Sequence, residues 1–255
     1  MQLFDSHAHL QDERFADVAP LLDRAKAQNV AAIVCCGSTE DDWERVVAIA
    51  GMDPMVIPAF GIHPWYVGSL SSHWRDDLTR LLGENPNAAV GEIGIDKMVD
   101  TDFGLQMEVF ASQIEIARQL SRPVSIHCRK AWEPLMRTLG DIARSGPIRG
   151  VIHSYSGSRE LVSVLESWGL HLSFSGSITY DRNRRGREAV KAVSHDRLLI
   201  ETDSPDILPR GVDVPLNEPS FLWIVNREVA LLRGEDPVGS ARITMRNATT
   251  LFLGR

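Results

Sequence analysis

Histidines and carboxylates in this chain gather at a few places, each behind a short apolar run. His7 and His9 stand two apart after Leu3-Phe4-Asp5, and His63 sits in Gly61-Ile62-His63-Pro64. Glu92 opens Glu92-Ile93-Gly94-Ile95-Asp96 with Gly91 before it, and His127 and His153 end Val124-Ser125-Ile126 and Val151-Ile152. Glu201 and Asp203 close Leu198-Leu199-Ile200. Imidazole nitrogens and carboxylate oxygens are ligands for divalent cations. Residues two apart on an extended chain point the same way, so His7 and His9 can reach one ion. The two oxygens of Glu92 can bridge two cations, which a neutral imidazole cannot do. His127 and His153, at the same relative place in successive runs, read as ligands too. Of the two last acids, Asp203 is the better ligand or base. Glu201 suits a supporting role, holding a neighbouring backbone or orienting a ligand. A donor set without thiolate fits Zn²⁺, Mn²⁺ or Mg²⁺.

The apolar runs predict strands near Leu3–Asp5, Val30–Cys36, Val56–Phe60, Ala88–Glu92, Pro123–His127, Gly150–His153, His171–Phe174 and Arg197–Glu201. Helical periodicity lies between them. Val18, Leu21, Leu22 and Ala25 share one face, and Trp43, Val46, Val47 and Ala50 share another, with Ser38 or Thr39 as its N-cap. Leu105 to Leu120 reads as a longer helix, and Glu218 to Leu232 and Pro237 to Phe252 as two closing ones. The Pro-rich stretch Asp206–Pro219 is the longest irregular segment. Strand and helix in alternation over one chain of 255 residues predict an α/β fold, a single (β/α)8 TIM-type barrel spanning residues 1–255. No Gly-rich dinucleotide fingerprint follows the first strand, which weakens the open doubly wound alternative. Five of the eight histidines then fall at the C-terminal ends of strands, on the barrel's active-site face; His73, His171 and His195 do not.

Composition limits the function classes. With 44% hydrophobic and 24% charged residues, the chain is neither disordered nor fibrous. It is long enough to bury a core without a structural metal, so a metal site here is functional. A net charge of −7 argues against a non-specific grip on duplex DNA. It leaves nucleic acid open as a substrate, since active-site cations supply local positive charge. Three cysteines, two of them adjacent, form no disulfide framework, and with no secretory leader and no membrane span in the sequence we expect a cytoplasmic protein.

Taken together, the motifs resemble the TatD-related deoxyribonucleases, a family of metal-dependent hydrolases on amidohydrolase-like barrels. The matching pieces are Asp5-Ser6-His7-Ala8-His9-Leu10, Gly61-Ile62-His63-Pro64, Gly91-Glu92-Ile93-Gly94-Ile95-Asp96 and Ile126-His127-Cys128-Arg129. His153-Ser154-Tyr155-Ser156-Gly157-Ser158, Ser173-Phe174-Ser175-Gly176, Leu199-Ile200-Glu201-Thr202-Asp203-Ser204-Pro205 and Asn217-Glu218-Pro219 complete the series, in family order along almost the whole chain. The resemblance implies a binuclear centre. His7, His9, Glu92 and Asp203 would hold one divalent ion; Glu92, His127 and His153 would hold the other. His63 would meet a substrate phosphate, and Asp203 would orient the attacking water or take its proton. The chain departs from the family at Lys97-Met98 and Leu216.

The implied activity is hydrolysis of a phosphodiester, with DNA ends as the leading substrate. The same centre also suits a lactonase, an amidase or an aminoacyl-tRNA deacylase, and a retained barrel can serve as a non-catalytic binding protein. Two features stay open. Arg182, Arg184, Arg185 and Arg187 form either an electrostatic guide for a polyanion or a solvated helix face. Trp65 and Tyr66 either stack a base or cover the barrel mouth.

Overall fold

The computed structural model describes residues 1–254. Its strands are β1 (Leu3–Ala8), β2 (Val30–Cys36), β3 (Val56–Phe60), β4 (Ala89–Asp96), β5 (Val124–Arg129), β6 (Gly150–Ile152), β7 (Leu170–Phe174) and β8 (Leu198–Ile200). All pair in parallel, in the order in which they occur along the chain. Seven helices connect them: α1 (Ala19–Ala27), α2 (Trp43–Met52), α3 (Trp74–Glu84), α4 (Phe103–Gln119), α5 (Trp132–Ala143), α6 (Arg159–Ser167) and α7 (Arg184–Ala192). After β8 the chain runs irregularly to α8 (Leu222–Arg233) and α9 (Pro237–Ala248). The last strand meets the first through single bonds. Ser6 Oγ donates to Ile200 O at 3.0 Å, Asp203 N–H to His7 O at 3.0 Å, and His9 N–H to Ser204 O at 2.7 Å. The (β/α)8 TIM-type barrel expected from the sequence is the observed fold.

Two apolar layers account for the strand sequences. Side chains facing outward, such as Leu3, Ile33, Ile93 and Ile126, bury against the helices. Those facing inward, Phe4, Val34, Cys36, Ala59, Ala89, Val151 and Leu199, fill the barrel with Leu251 and Phe252 of the last turn. Parallel strands covered on both faces carry continuous apolar runs, as these do. The helical faces follow the predicted periodicity in part. On α2 the fully buried positions are Trp43, Val46 and Ile49, with Val47 and Ala50 only partly covered. Neither Ser38 nor Thr39 caps it. A short 3₁₀ turn, Glu40–Asp42, intervenes, and Asp42 Oδ2 accepts the Ser38 N–H at 2.8 Å.

Several strands run past the predicted ends. β1 reaches Ala8, β4 Asp96 and β5 Arg129, whereas β6 and β8 stop one residue short of His153 and Glu201. The difference in β4 comes from Ile93 and Ile95, which continue the buried outer row beyond Glu92. Register explains more. Asp5 pairs with Ile33 and Ala8 with Cys35, three residues against two; Val90 pairs with Val124 and Ile93 with Ile126, again three against two. Each slip adds a residue to its strand and re-aims a side chain, as bulges beside functional sites do. The two slips fall at Ser6-His7 and at Gly91-Glu92.

Candidate metal centre

Glu92 sits at the middle of the mouth, 3% exposed, and its two oxygens face different neighbours. Oε2 lies 3.4 Å from His7 Nε2 and 3.2 Å from His9 Nε2. Oε1 lies 2.9 Å from His127 Nδ1, 2.7 Å from His153 Nε2 and 3.5 Å from His63 Nε2. Asp203 Oδ1 closes the first group, 3.8 Å from both His7 Nε2 and His9 Nε2. The structure therefore brings the six proposed ligands and His63 to one place. Three overlapping sets have ligand spacing: His7, His9 and Glu92; His7, His153 and Asp203; and His63, Glu92 and His127.

Backbone close to backbone makes this convergence possible. A Cβ on Gly94, whose φ is +151°, would lie 2.1 Å from His127 O, so β4 and β5 approach as only glycine permits. A Cβ on Gly61 would lie 2.8 Å from Glu92 O. Asp203 takes a left-handed backbone, φ +57°, which aspartate tolerates better than most residues. That turn is held from two sides. Asp5, fully buried, accepts Thr202 N–H at 2.9 Å and Thr202 Oγ1–H at 2.6 Å. Asn217, also fully buried, donates Nδ2–H groups to Thr202 O, Asp206 O and Ile207 O at 2.9, 2.8 and 3.2 Å.

Hydrogen bonds on the far ring nitrogens sort the histidines. His9 Nδ1 meets Cys36 O at 2.8 Å; a carbonyl only accepts, so Nδ1 carries a proton, and Nε2 is the atom left for a second proton or a cation. His63 is reversed. Its Nδ1 accepts the Trp65 backbone N–H at 3.2 Å, so Nε2 carries the proton and faces Glu92 as a donor. His153 Nδ1 faces Glu201 Oε1 at 3.4 Å, and that oxygen accepts Ser154 N–H at 2.6 Å. His127 Nε2 faces Asp96 Oδ2 at 3.6 Å. Glu201 thus takes the supporting place foreseen for it. Asp96 takes an equivalent one that the sequence reading did not assign, although it ends the same Gly-Glu-x-Gly-x-Asp motif.

Charge accumulates accordingly. Burial would lower His9, yet Glu92 and Asp203 raise it to about 9. Burial opposes the charging of His153 and His127 as well, and Glu92 with Glu201, or Asp96 with Glu92, outweighs it and raises both. His63 is pushed down to about 3, first by burial, and stays neutral. Glu92 is held well below the usual carboxylate range against its burial, chiefly by His153. Nitrogens face each other at 3.1 Å between His7 and His9 and at 3.2 Å between His127 and His153. Two lone pairs repel at that separation, so each pair calls for a proton or a metal cation. Oxygen and imidazole donors at these spacings fit divalent ions.

The open features resolve unevenly. Arg187 is tied inward, to Ile178 O at 2.8 Å and to Glu228 at 2.5 Å, so it belongs to the scaffold. Arg182 lies over the Tyr180 ring, and Arg184 and Arg185 open α7 exposed. Trp65 and Tyr66 are 49% and 40% exposed. Among the described residues no helix is long and apolar enough to cross a membrane.

A β/α barrel whose mouth gathers histidines and acids at ligand spacing defines a metal-dependent hydrolase. The profile of one such family, TatD related DNase, matches residues 4–253, and the chain belongs to that family. A metal-dependent hydrolase of Bacillus subtilis, YabD, of uncharacterized activity, is 32% identical over 98% of both chains. The 3'-5' ssDNA/RNA exonuclease TatD of Salmonella typhimurium is 31% identical, also over 98% of both. The crystal structure of YJJV, a TatD homolog from Escherichia coli K12, superposes with a TM-score of 0.92 at 28% identity, covering 98% of each chain.

Proposed function

We propose that the protein is a phosphodiesterase that removes nucleotides from the ends of single-stranded DNA or RNA, and that Glu92 would be shared by the two groups of residues that would hold two divalent ions. The division of Glu92's oxygens between two groups of nitrogens carries this reading. His7, His9 and Asp203 would complete one ion's ligands, and His127 and His153 the other's. Two such ions, when bound, supply Lewis acidity at the phosphoryl oxygens and lower the pKa of an attacking water.

The chain's own groups supply the rest. Asp203 accepts the proton of the water that attacks phosphorus, and returns it to the leaving oxygen as the P–O bond breaks. His63, neutral with Nε2–H outward, donates to a non-bridging phosphate oxygen. Glu201 and Asp96 face the outer ring nitrogens of His153 and His127 and by their charge favour the orientation the ligand atoms need. The activity of the Salmonella relative supports the choice of substrate. Three unpaired, buried thiols support a reducing cytoplasm as the compartment.

The test joins metal analysis of purified protein, reconstituted with Zn²⁺, Mn²⁺ or Mg²⁺, to an assay on 3′- and 5′-labelled single-stranded oligonucleotides. Saturation near two equivalents with release of mononucleotides from an end is the expected result. Full activity at one equivalent overturns the bridged centre. Turnover of lactones or aminoacyl esters, with none of any oligonucleotide, overturns the choice of substrate.

A further inference from the structure

The loop after β3 holds an exposed indole beside the proposed phosphate donor. Trp65 meets the His63 ring edge-on, with centroids 5.1 Å apart. Its Nε1–H is spent inward, on Asp96 Oδ2 at 2.8 Å, while half of the side chain faces water. Asp96 is itself fully buried, and its other oxygen accepts the Met98 N–H at 2.7 Å. Thr101 Oγ1 donates to Pro64 O at 3.0 Å, so the loops after β3 and β4 are tied together. One buried carboxylate thus fixes the Trp65 side chain and the backbone of Met98, whose own side chain is 60% exposed. An indole pinned by its Nε1–H and half exposed offers surface to a flat partner.

Basic residues cluster along the chain around Asp96, the partner of Trp65. Lys97 follows Asp96 directly, and Arg129, exposed, is paired with Asp96 in the β4–β5 register. Lys130 follows Arg129 and is exposed as well. In a chain of net charge −7, Lys97, whose Nζ lies over the Phe103 ring at 5.4 Å, and the exposed Arg129 and Lys130 offer a local path for a polyanion at the ends of β4 and β5. Aromatic faces alternating with cations are the means by which single strands are bound without regard to sequence.

We propose that Trp65 is a stacking platform for the nucleobase adjacent to the scissile phosphodiester of single-stranded nucleic acid, with Lys97, Arg129 and Lys130 taking the backbone beyond it. The assignment rests on the exonuclease reading above and adds to it a base-binding site. Stacking needs only a π-face, so this site selects for the presence of a base rather than for its identity.

The experiment pairs protein and substrate deletions. Wild-type, Trp65→Ala and Trp65→Phe enzymes are assayed on intact oligonucleotides and on oligonucleotides abasic at either nucleotide flanking the scissile bond. Loss of the stacked base should slow the wild type about 5- to 150-fold in kcat/KM. Trp65→Ala should be slower on intact strands by a similar factor and should no longer distinguish the two substrates; Trp65→Phe should keep part of the preference. A Trp65→Ala enzyme that loses activity equally on both substrates marks Trp65 as a support for Asp96 and His127, and overturns the platform. A wild type indifferent to the missing base does so too. Wild-type enzyme inactive on every oligonucleotide overturns the nuclease reading and this site with it, and that result is distinct from the other two.

Discussion

Asn217 lies far along the chain from Asp203 yet decides where that residue stands. The segment between β8 and α8 contains no regular element from Glu201 to Glu218. Its backbone polar groups must find partners elsewhere. Asn217 Nδ2 serves three of its carbonyls, those of Thr202, Asp206 and Ile207, and Asn217 Oδ1 accepts the Glu218 N–H at 3.0 Å. Asn217→Ala removes all of these at a site with no exposure. At about 1 kcal/mol for each net hydrogen bond, with roughly three lost, the substitution should cost about 3 kcal/mol. That is a large share of the roughly 5–15 kcal/mol that stabilises a typical domain.

Urea unfolding followed by circular dichroism measures the loss directly; about 3 kcal/mol should lower Tm by about 6–12 °C in a chain of this size. Asn217→Asp separates hydrogen-bond donation from packing. It keeps the shape, removes both N–H donors and sets a carboxylate against three carbonyls, so it should destabilise at least as much as alanine. Both variants should also lose activity under conditions where they remain folded, because Thr202 and hence Asp203 lose an anchor. An Asn217→Asp protein as stable as the wild type would refute the reasoning, since the amide donors would then hold nothing.

Other expectations follow from single groups. Glu92→Gln keeps the shape but removes the charge shared by both nitrogen groups; bound metal should fall below two equivalents and turnover should vanish, with circular dichroism unchanged, and retention of both ions at normal rate would show Glu92 to be structural. Asp203→Asn should abolish turnover, the loss of proton transfer alone costing about 10²–10⁴-fold. His63→Ala should lower phosphodiester turnover at full metal content; if metal is stripped instead, His63 belongs among the ligands. His171, buried at the start of β7, is pushed down to about 4 by burial and then by Arg197, against an ordinary value of 6.5. The unfolded chain therefore takes up this proton first as pH falls from 6.5 toward 4, and the folded state loses about 2 kcal/mol between pH 7 and pH 5. His171→Gln should remove that part of the pH dependence, and an unchanged difference between the urea midpoints at the two pH values would count against it.

Much of this arrangement is legible in the sequence because barrel topology converts position along a strand into position at the mouth. An apolar run ending in histidine or acid is enough to put His127, His153 and Glu201 on one face. Register slips are harder to see. Strict alternation on β1 and β4 carries no mark of the extra residue at Ser6-His7 or Gly91-Glu92, because the slip is set by pairing with β2 and β5. Only Gly91, at the slip in β4, hints at it. Asp96 was passed over for a related reason: it lies on an extension of β4 that alternation alone did not carry beyond Glu92.

The roles of His9 and His63 show where residue type stops being informative. Both are histidines at the mouth, both buried or nearly so, and both within 3.5 Å of Glu92. What differs is the backbone atom opposite Nδ1. For His9 it is a carbonyl oxygen, that of Cys36, reinforced by Gln11, whose Nε2 donates to the same oxygen at 2.6 Å and to Asp42 Oδ2 at 3.2 Å. Both protons of that amide are then spent, so none remains to reverse the His9 tautomer. For His63 it is an N–H, because the chain turns at Pro64 and brings the Trp65 amide back over the ring. A carbonyl leaves the inner nitrogen free to bind a cation, and an amide leaves it a proton to give. The proposed ligand and the proposed phosphate donor are thus distinguished by the fold of a two-residue turn, and the metal content of His63→Ala reads out that distinction.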